Sequence, residues 1–334
     1  MPALQPAAEA PRPTHGFAIS PRTLRALLPA LSLLIVLIAI YAFNPRAISY
    51  IGLNLMLNLA VPIALATIAQ MFVLTVNDLD LSIGPFVGFV GCVAATWLPD
   101  QPLLGTAALL GGILVYAGIG ALIHLRNLPS IVVTLGMGFV WLGLAILIRP
   151  IPGGKAPGWL HALVTLRIPL VPFPIVAAIF IAFVVHVGLM RTSYGAILRG
   201  AGGNPRAIAR AGWSLLRTKM TMFALAGLFG VVAGLALVGV STSADANMAN
   251  GYTLLSIAGA ILGGAEFVGG RVSPIGAVMG ALTLQLAAVA LNFFHLPQFP
   301  SFRIPPEWQV GAQGLILILI LAARIIISRR EVRS

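Results

Sequence analysis

Apolar runs of about twenty residues recur along nearly the whole chain, and that repetition limits what it can fold into. They fall at 27–43, 50–76, 82–98, 103–123, 129–149, 170–190, 219–240, 252–265, 274–294 and 308–327. A helix of about 20 apolar residues crosses the hydrocarbon core of a bilayer. Lipid offers no hydrogen-bond partners, so only helices and closed barrels can span it. A barrel would alternate apolar and polar residues in shorter strands, and that pattern is absent. Only 8% of the 334 residues are charged and 59% are hydrophobic, against about 25% charged in soluble domains. The expectation is an all-α polytopic membrane protein of about ten transmembrane helices.

Basic residues set the expected orientation. With the N-terminus inside and ten crossings, 15 of the 20 Lys and Arg residues lie on the inner side. The positive-inside rule therefore places both termini in the cytoplasm. Loops 99–102, 150–169, 241–251 and 295–307 then face outward. Residues 1–26, rich in Pro and Ala, read as a disordered cytoplasmic tail. No A-x-A site closes the apolar run that follows, so that run is expected to remain as a span. Residues 27–327 read as one transmembrane domain, and 328–334 as a basic cytoplasmic C-terminus. The net charge of +12 is explained by these flanking residues, and nucleic-acid binding is not expected. Cys92 is the single cysteine, so no intrachain disulfide is possible and a metal site is not expected.

Two runs depart from simple spans. The 50–76 run is too long and is interrupted by Asn54, Asn58, Pro62 and Gln70; the 252–265 run is too short and glycine-flanked. Such segments are where cavity-lining or re-entrant backbone occurs. Glycines at four-residue spacing (Gly84/Gly88, Gly230/Gly234, Gly259/Gly263, Gly276/Gly280) suit close helix packing. SIGPFVG at 82–88 and SPIGAVMG at 273–280 hint at a short repeat.

No phosphate-binding G-x-x-x-x-G-K-[ST] loop occurs, because Gly153-Gly154-Lys155 is followed by Ala156. H-E-x-x-H and G-x-S-x-G are also absent, and the five histidines are scattered. No enzyme constellation and no bound cofactor is expected on this chain. Three polar stretches remain. In Asn77-Asp78-Leu79-Asp80-Leu81-Ser82-Ile83-Gly84, two carboxylates lie between apolar blocks and must face water, protein or a cavity. One reading is a break lining a translocation path. The other is a helix cap by Asp80 or Ser82. In the stretch 262–282, Gly263-Gly264 and Gly269-Gly270 bracket Glu266 and Phe267 in a tight turn, where Glu266 could instead pair locally with Arg271. The loop 191–219 carries six basic and no acidic residues. Within it, Gly202-Gly203-Asn204-Pro205 suits a turn that begins a helix. Arg206 to Gly212 reads as a short helix with a small surface at Ala207, Ala209 and Ala211. It could sit in a groove on another protein, or be held by anionic lipid.

These stretches, in this order, resemble the permease subunits of bacterial ABC importers for ribose and other monosaccharides, over about residues 48–327. The matching elements are Asp80-Leu81-Ser82-Ile83-Gly84, Thr134-Leu135-Gly136, the Gly202-Gly203-Asn204-Pro205 loop with Ala207 and Gly212, and Leu262-Gly263-Gly264 with Gly269-Gly270-Arg271 and Gly276. The resemblance implies a multi-pass subunit of the bacterial inner membrane. It implies a second permease chain, expected to be identical, and a periplasmic binding protein that delivers the sugar. It also implies separate ATPase subunits that carry ATP and Mg and grip a coupling helix, here Gly202, Gly203, Asn204, Pro205, Arg206, Ala207, Arg210 and Gly212. Asn77, Asp78, Asp80, Ser82, Glu266 and Phe267 are the candidate translocation-path residues. The chain departs from the family pattern at Asn77-Asp78, where glycines are usual, at Glu266, at Leu142 where an Arg is frequent, and at Ile208, Arg210 and Trp213.

Two other functions stay open at this stage. A proton-coupled secondary transporter would place its carboxylates at mid-membrane, whereas Asp78 and Glu266 map to the cytoplasmic edge. An ABC permease for another small polar solute, such as a branched-chain amino acid, is the neighbouring possibility.

Overall fold

The computed structural model describes residues 21–267 and 269–293, with a few isolated helical positions between 311 and 322. Among the described residues the regular structure is all helical, with no strand and only an isolated bridge between Gly153 and Ala244. Between residues 21 and 293 the described residues form thirteen α-helices in order: α1 Pro21–Phe43, α2 Tyr50–Leu57, α3 Ala60–Thr75, α4 Ile83–Thr96, α5 Pro102–Arg126, α6 Ser130–Ile148, α7 Gly158–Val164, α8 Phe173–His186, α9 Ser193–Gly203, α10 Pro205–Arg210, α11 Leu215–Ser241, α12 Tyr252–Leu262 and α13 Pro274–Phe293.

The centre is α3, every one of whose 16 residues is buried. It packs against α11, α12 and α13. Apolar residues all round a helix imply burial on all sides, and α3 meets that condition with Gln70, Thr67 and Thr75 as its only polar members. By contrast α5, α6 and α8 expose large apolar side chains such as Leu114, Phe139 and Phe180. These are the faces a bilayer would cover.

Among the described residues, five helices are long and apolar enough to cross a membrane, and α2 with α3, bent by 44° at Asn58–Leu59, would make a sixth. The remaining runs differ from uniform spans for a physical reason. The apolar run at 82–98 contains a helix of 14 residues, and that at 252–265 a helix of 11. At 1.5 Å per residue these rise about 21 and 17 Å, short of a bilayer core of about 30 Å. Each short helix follows non-helical chain, at 76–82 and 242–251 respectively. Helix α1 already begins at Pro21, within the stretch read as a tail. Residues 1–20, the 295–307 loop and the 328–334 terminus lie outside the described residues, as does nearly all of the 308–327 run.

The glycine pairs are packing devices. A Cβ on Gly280 would meet the Gly259 carbonyl oxygen, and one on Gly276 the Gly263 carbonyl oxygen, so α12 and α13 cross with their backbones in contact. Gly230 and Gly234 of α11 receive Phe86 and Val90 of α4. Small residues at crossings let helices approach closely where no hydrophobic effect drives them together.

A polar break in the bundle and the junction below it

The segment 76–82 interrupts the helical backbone between two buried helices, so its N–H and C=O groups need partners from elsewhere. Side chains supply them. The Gln70 amide, with its nitrogen facing the Asp80 carbonyl, donates at 3.0 Å and accepts from the Asp80 N–H at 3.2 Å. Ser130 Oγ accepts from Leu79 N at 3.1 Å, and Thr134 Oγ1 accepts from Leu81 N at 3.0 Å. Thr253 Oγ1 accepts from Gly84 N at 3.1 Å.

Asp80 is fully buried at the middle of this break. Its Oδ1 accepts from Ser82 N and Ser82 Oγ, at 2.7 and 2.6 Å, and its Oδ2 accepts from Tyr116 Oη at 2.9 Å. Three donors thus converge on one buried carboxyl group. Ser82 precedes the first residue of α4, but its hydroxyl makes no capping bond; Asp80 holds the Ser82 N–H instead. Tyr116 is clamped in turn by Phe86, with ring centroids 4.5 Å apart, and by Trp141. Asp80 and Ser82 are therefore framework residues of the break, with no exposed surface.

Asn77 is the first residue of the break to leave the core. Its φ is +62°, in the left-handed region that Asn tolerates better than most residues. Its Nδ2 donates to the Gly202 carbonyl at 2.8 Å, and its Oδ1 accepts from Gly269 N at 3.0 Å. One side chain thus joins three stretches that lie far apart in sequence. Beside it, Asp78 Oδ2 lies 2.8 Å from Lys219 Nζ at the start of α11. Both side chains are mostly buried, and the contact is an ion pair without the alignment of a hydrogen bond. A cavity of about 370 Å³ opens beside this pair, lined also by His124, Asn127 and Ser130.

The 191–219 region forms α9, α10 and the start of α11. Asn204 Oδ1 accepts from Ala207 N at 3.1 Å and caps α10, with Pro205 at its first position. Gly212, at φ +84°, ends it, with Gly212 N bonded to Ala209 O and Trp213 N to Ile208 O. This pairing is a Schellman motif. Helix α10 buries none of its residues. Arg206, Ala207, Arg210 and Gly212 are exposed, as are Gly203, Asn204 and Pro205, while Gly202 is buried. A Cβ on Gly202 would collide with the Thr75 carbonyl oxygen and lie 3.0 Å from Gly270 Cα. The base of α10 therefore rests directly on the end of α3 and on the Gly269-Gly270 turn.

Glu266 and Phe267 lie on that turn. Glu266 is paired with Arg271 at 3.7 Å, both side chains well exposed, and Phe267 is 53% exposed. The structure thus brings Asn77, Asp78, Gly202, Gly203 and Gly269 to one junction, sets Asp80 and Ser82 above it in the core, and leaves Glu266 and Phe267 at its rim. Sequence reasoning did not single out Tyr116, Ser130, Lys219 or Thr253 for this site. Gln70 was visible only as an interruption of an apolar run, and Thr134 only through a motif. The described residues hold no group of three metal-ligating side chains.

A polytopic helical bundle with broken spans, a buried polar break and an exposed basic helix at one end has the architecture of a membrane permease component. The comparison with known families gives that class a definite place. Residues 52–321 match the family described as branched-chain amino acid transport system / permease component, and the chain belongs to it. The L-arabinose ABC transporter permease protein AraH of Azospirillum brasilense is 30% identical, covering 83% of this chain and 80% of that protein. The probable ABC transporter permease protein YphD of Escherichia coli K12 is 28% identical, over 91% and 92%. The galactose/methyl galactoside import permease protein MglC of the same organism is 29% identical, over 86% and 91%. No solved structure gives a significant match.

Proposed function

We propose that this chain is the permease subunit of an ABC importer that moves a monosaccharide or related polyol across the bacterial inner membrane. The observation that carries this reading is the junction at Asn77. An exposed, basic, capped helix, α10, stands on a buried glycine that touches the break in the transmembrane core. Such a helix is placed to be gripped from outside the membrane and to pass the force inward. Relatives that match over most of both chains are named for L-arabinose and for galactose and methyl galactoside, and others for autoinducer 2. This favours a polyhydroxyl solute over a branched-chain amino acid, the solute in the family's own description.

In this reading, ATP and Mg sit on separate ATPase subunits, and Gly202 to Gly212 is the element those subunits grip. A periplasmic binding protein supplies the solute, and a second, identical permease chain completes the pathway. About ten spans with both termini cytoplasmic follow from the basic-residue count. Asn77, Asp78, Asp80 and Ser82 form the framework of the path, with Glu266 and Phe267 at its inner rim. Asp78 is matched by Lys219, which fits a structural ion pair better than a proton carrier.

The test is uptake by proteoliposomes that hold the whole complex. ATP-dependent uptake that survives an uncoupler is expected. Gly203→Trp should insert normally and lose uptake, because a bulky group at that exposed base would displace whatever grips α10. Uptake that collapses with the uncoupler at constant internal ATP would instead establish a gradient-driven transporter.

A further inference from the structure

The loop between α11 and α12 reads in sequence as an external connection, yet the structure inserts it into the bundle. It lies directly against α4. A Cβ on Gly88 would lie 2.6 Å from the Ala246 carbonyl oxygen, and one on Gly84 would lie 2.7 Å from that of Ala249. The far end of α4 is marked by the Ala95 carbonyl, which accepts from Lys155 N of the 150–157 connection. At 1.5 Å per residue, Gly88 and Gly84 lie about 10 and 16 Å below that end. The loop therefore reaches roughly to the middle of a bilayer core of about 30 Å, and glycines on α4 make room for it.

Its side chains then sort by face. Ala244, Ala246 and Ala249 are buried against the bundle, while Asn247 and Asn250 are exposed and Asp245 is half-buried. Asp245 Oδ1 accepts from Asn247 N at 2.5 Å, and Asn250 Nδ2 donates to Asn247 Oδ1 at 3.1 Å. Among the described residues, that leaves the Asn247 amide nitrogen, the Asn250 amide oxygen and Asp245 Oδ2 without partners. Exposed amides at this depth cannot face hydrocarbon, where unpaired polar groups are costly. They must face a water-filled space.

We propose that Asp245, Asn247 and Asn250 line the solute pathway and contact the hydroxyl groups of the solute in transit. An amide offers both donors and an acceptor, so the pair can match hydroxyls that do both. Leu254, 72% exposed and one turn further along α12, continues the same face as its apolar limit. The inference rests on the transport reading above and adds where on this chain the solute is handled.

This chain's single cysteine, Cys92, is fully buried, and labelling is read on this chain after separation from its partners, with the unmutated complex as the blank. Asn247→Cys and Asn250→Cys are placed separately in the whole complex in proteoliposomes, with Leu114→Cys on the exposed face of α5 as the lipid-facing reference. A membrane-impermeant, positively charged methanethiosulfonate is compared with a lipid-soluble maleimide. The two loop cysteines should react with the charged reagent at least tenfold faster than Leu114→Cys, and labelling should cut uptake of D-galactose or L-arabinose, whichever the complex carries, at least fivefold. Either variant decides the matter if the other fails to accumulate. Reaction with the lipid-soluble reagent alone, or labelling that leaves uptake intact, overturns the proposal. Labelling needs neither ATP nor turnover, so a pathway-lining loop in a complex whose uptake ignores ATP would remove the importer reading and leave the pathway in place.

Discussion

Adjacent glycines at the base of α10 should respond unequally to one methyl group. At Gly202 an added Cβ would come closer to the Thr75 carbonyl oxygen than real Cβ atoms do, and would lie 3.0 Å from Gly270 Cα and 3.1 Å from Gly270 N. All three obstacles are backbone, so no side chain can swing away. Either α9–α10 lifts off the core, or α3 and the Gly269-Gly270 turn part. Forced overpacking of this kind costs about 1–3 kcal/mol and sometimes more. It would also stretch the Asn77 bond to the Gly202 carbonyl, now 2.8 Å, worth a further ~1 kcal/mol. At Gly203 the same methyl group meets only the Gly269 carbonyl oxygen at 3.2 Å, which a shift of a few tenths of an ångström relieves. Both residues end α9, where Ala is favoured over Gly by up to about 1 kcal/mol. Gly202→Ala should therefore lower the thermal midpoint of the purified complex by several degrees and reduce solute moved per ATP hydrolysed at least threefold. Gly203→Ala should match the parent in both. The assay is a thermal-shift series in detergent beside paired uptake and phosphate-release measurements. Equal damage from both substitutions, or none from Gly202→Ala, would show that α10 does not bear on the core through Gly202.

The polar framework yields two further expectations. Tyr116→Phe keeps the ring against Phe86 and Trp141 and removes one donor from the fully buried Asp80; it should destabilise the protein by about 1.5–3 kcal/mol, read as a lowered unfolding midpoint, and an unchanged midpoint would mean that the hydroxyl is dispensable. Lys219→Met leaves the largely buried Asp78 without its cation, 2.8 Å away, so the single change should cost more than the double change Asp78→Asn with Lys219→Met, with a coupling of about 0.5–3 kcal/mol in a double-mutant cycle; simple additivity would show that the pair contributes nothing.

Helix existence was legible because long apolar runs leave a membrane chain few options, and the short helix at 205–210 was legible because Asn204, Pro205 and Gly212 are position-specific start and stop residues. The site was legible only as isolated pieces. Asp80 between apolar blocks demanded an explanation, but beyond neighbouring Ser82 its partners lie 10 residues before it at Gln70 and 36 after it at Tyr116, and no local periodicity points to either. The two bonds of Asn77 reach 125 and 192 residues along the chain. The depth of the 242–251 loop was hidden for another reason. Its Ser, Thr, Asn, Asp and Gly content is what surface connections use, and composition alone cannot tell a loop over the membrane from one that dips into it. The run of alanines at 244, 246 and 249 was the one local hint.

The break and the dipping loop are not independent features. Thr253, the second residue of α12, accepts from Gly84 N and lies 3.5 Å from the Leu81 carbonyl, so the start of α12 is stitched to the end of the break. Asn77 holds the other end of the same break to Gly202 and Gly269. Between these two points the backbone is held by side chains of α3 and α6. A flexible hinge would absorb a push at α10 within the linker. A linker most of whose backbone N–H groups are engaged cannot yield without losing buried hydrogen bonds, each costly to leave unmade. On the proposed function, displacement at Gly202 would be passed on to Thr253 and to the loop before it. The polar side chains that replace a helical ladder at 77–84 thus serve two ends at once: they make non-helical backbone tolerable in the bundle, and they make it stiff enough to connect the exposed basic helix with the amide-bearing face of the 245–250 loop.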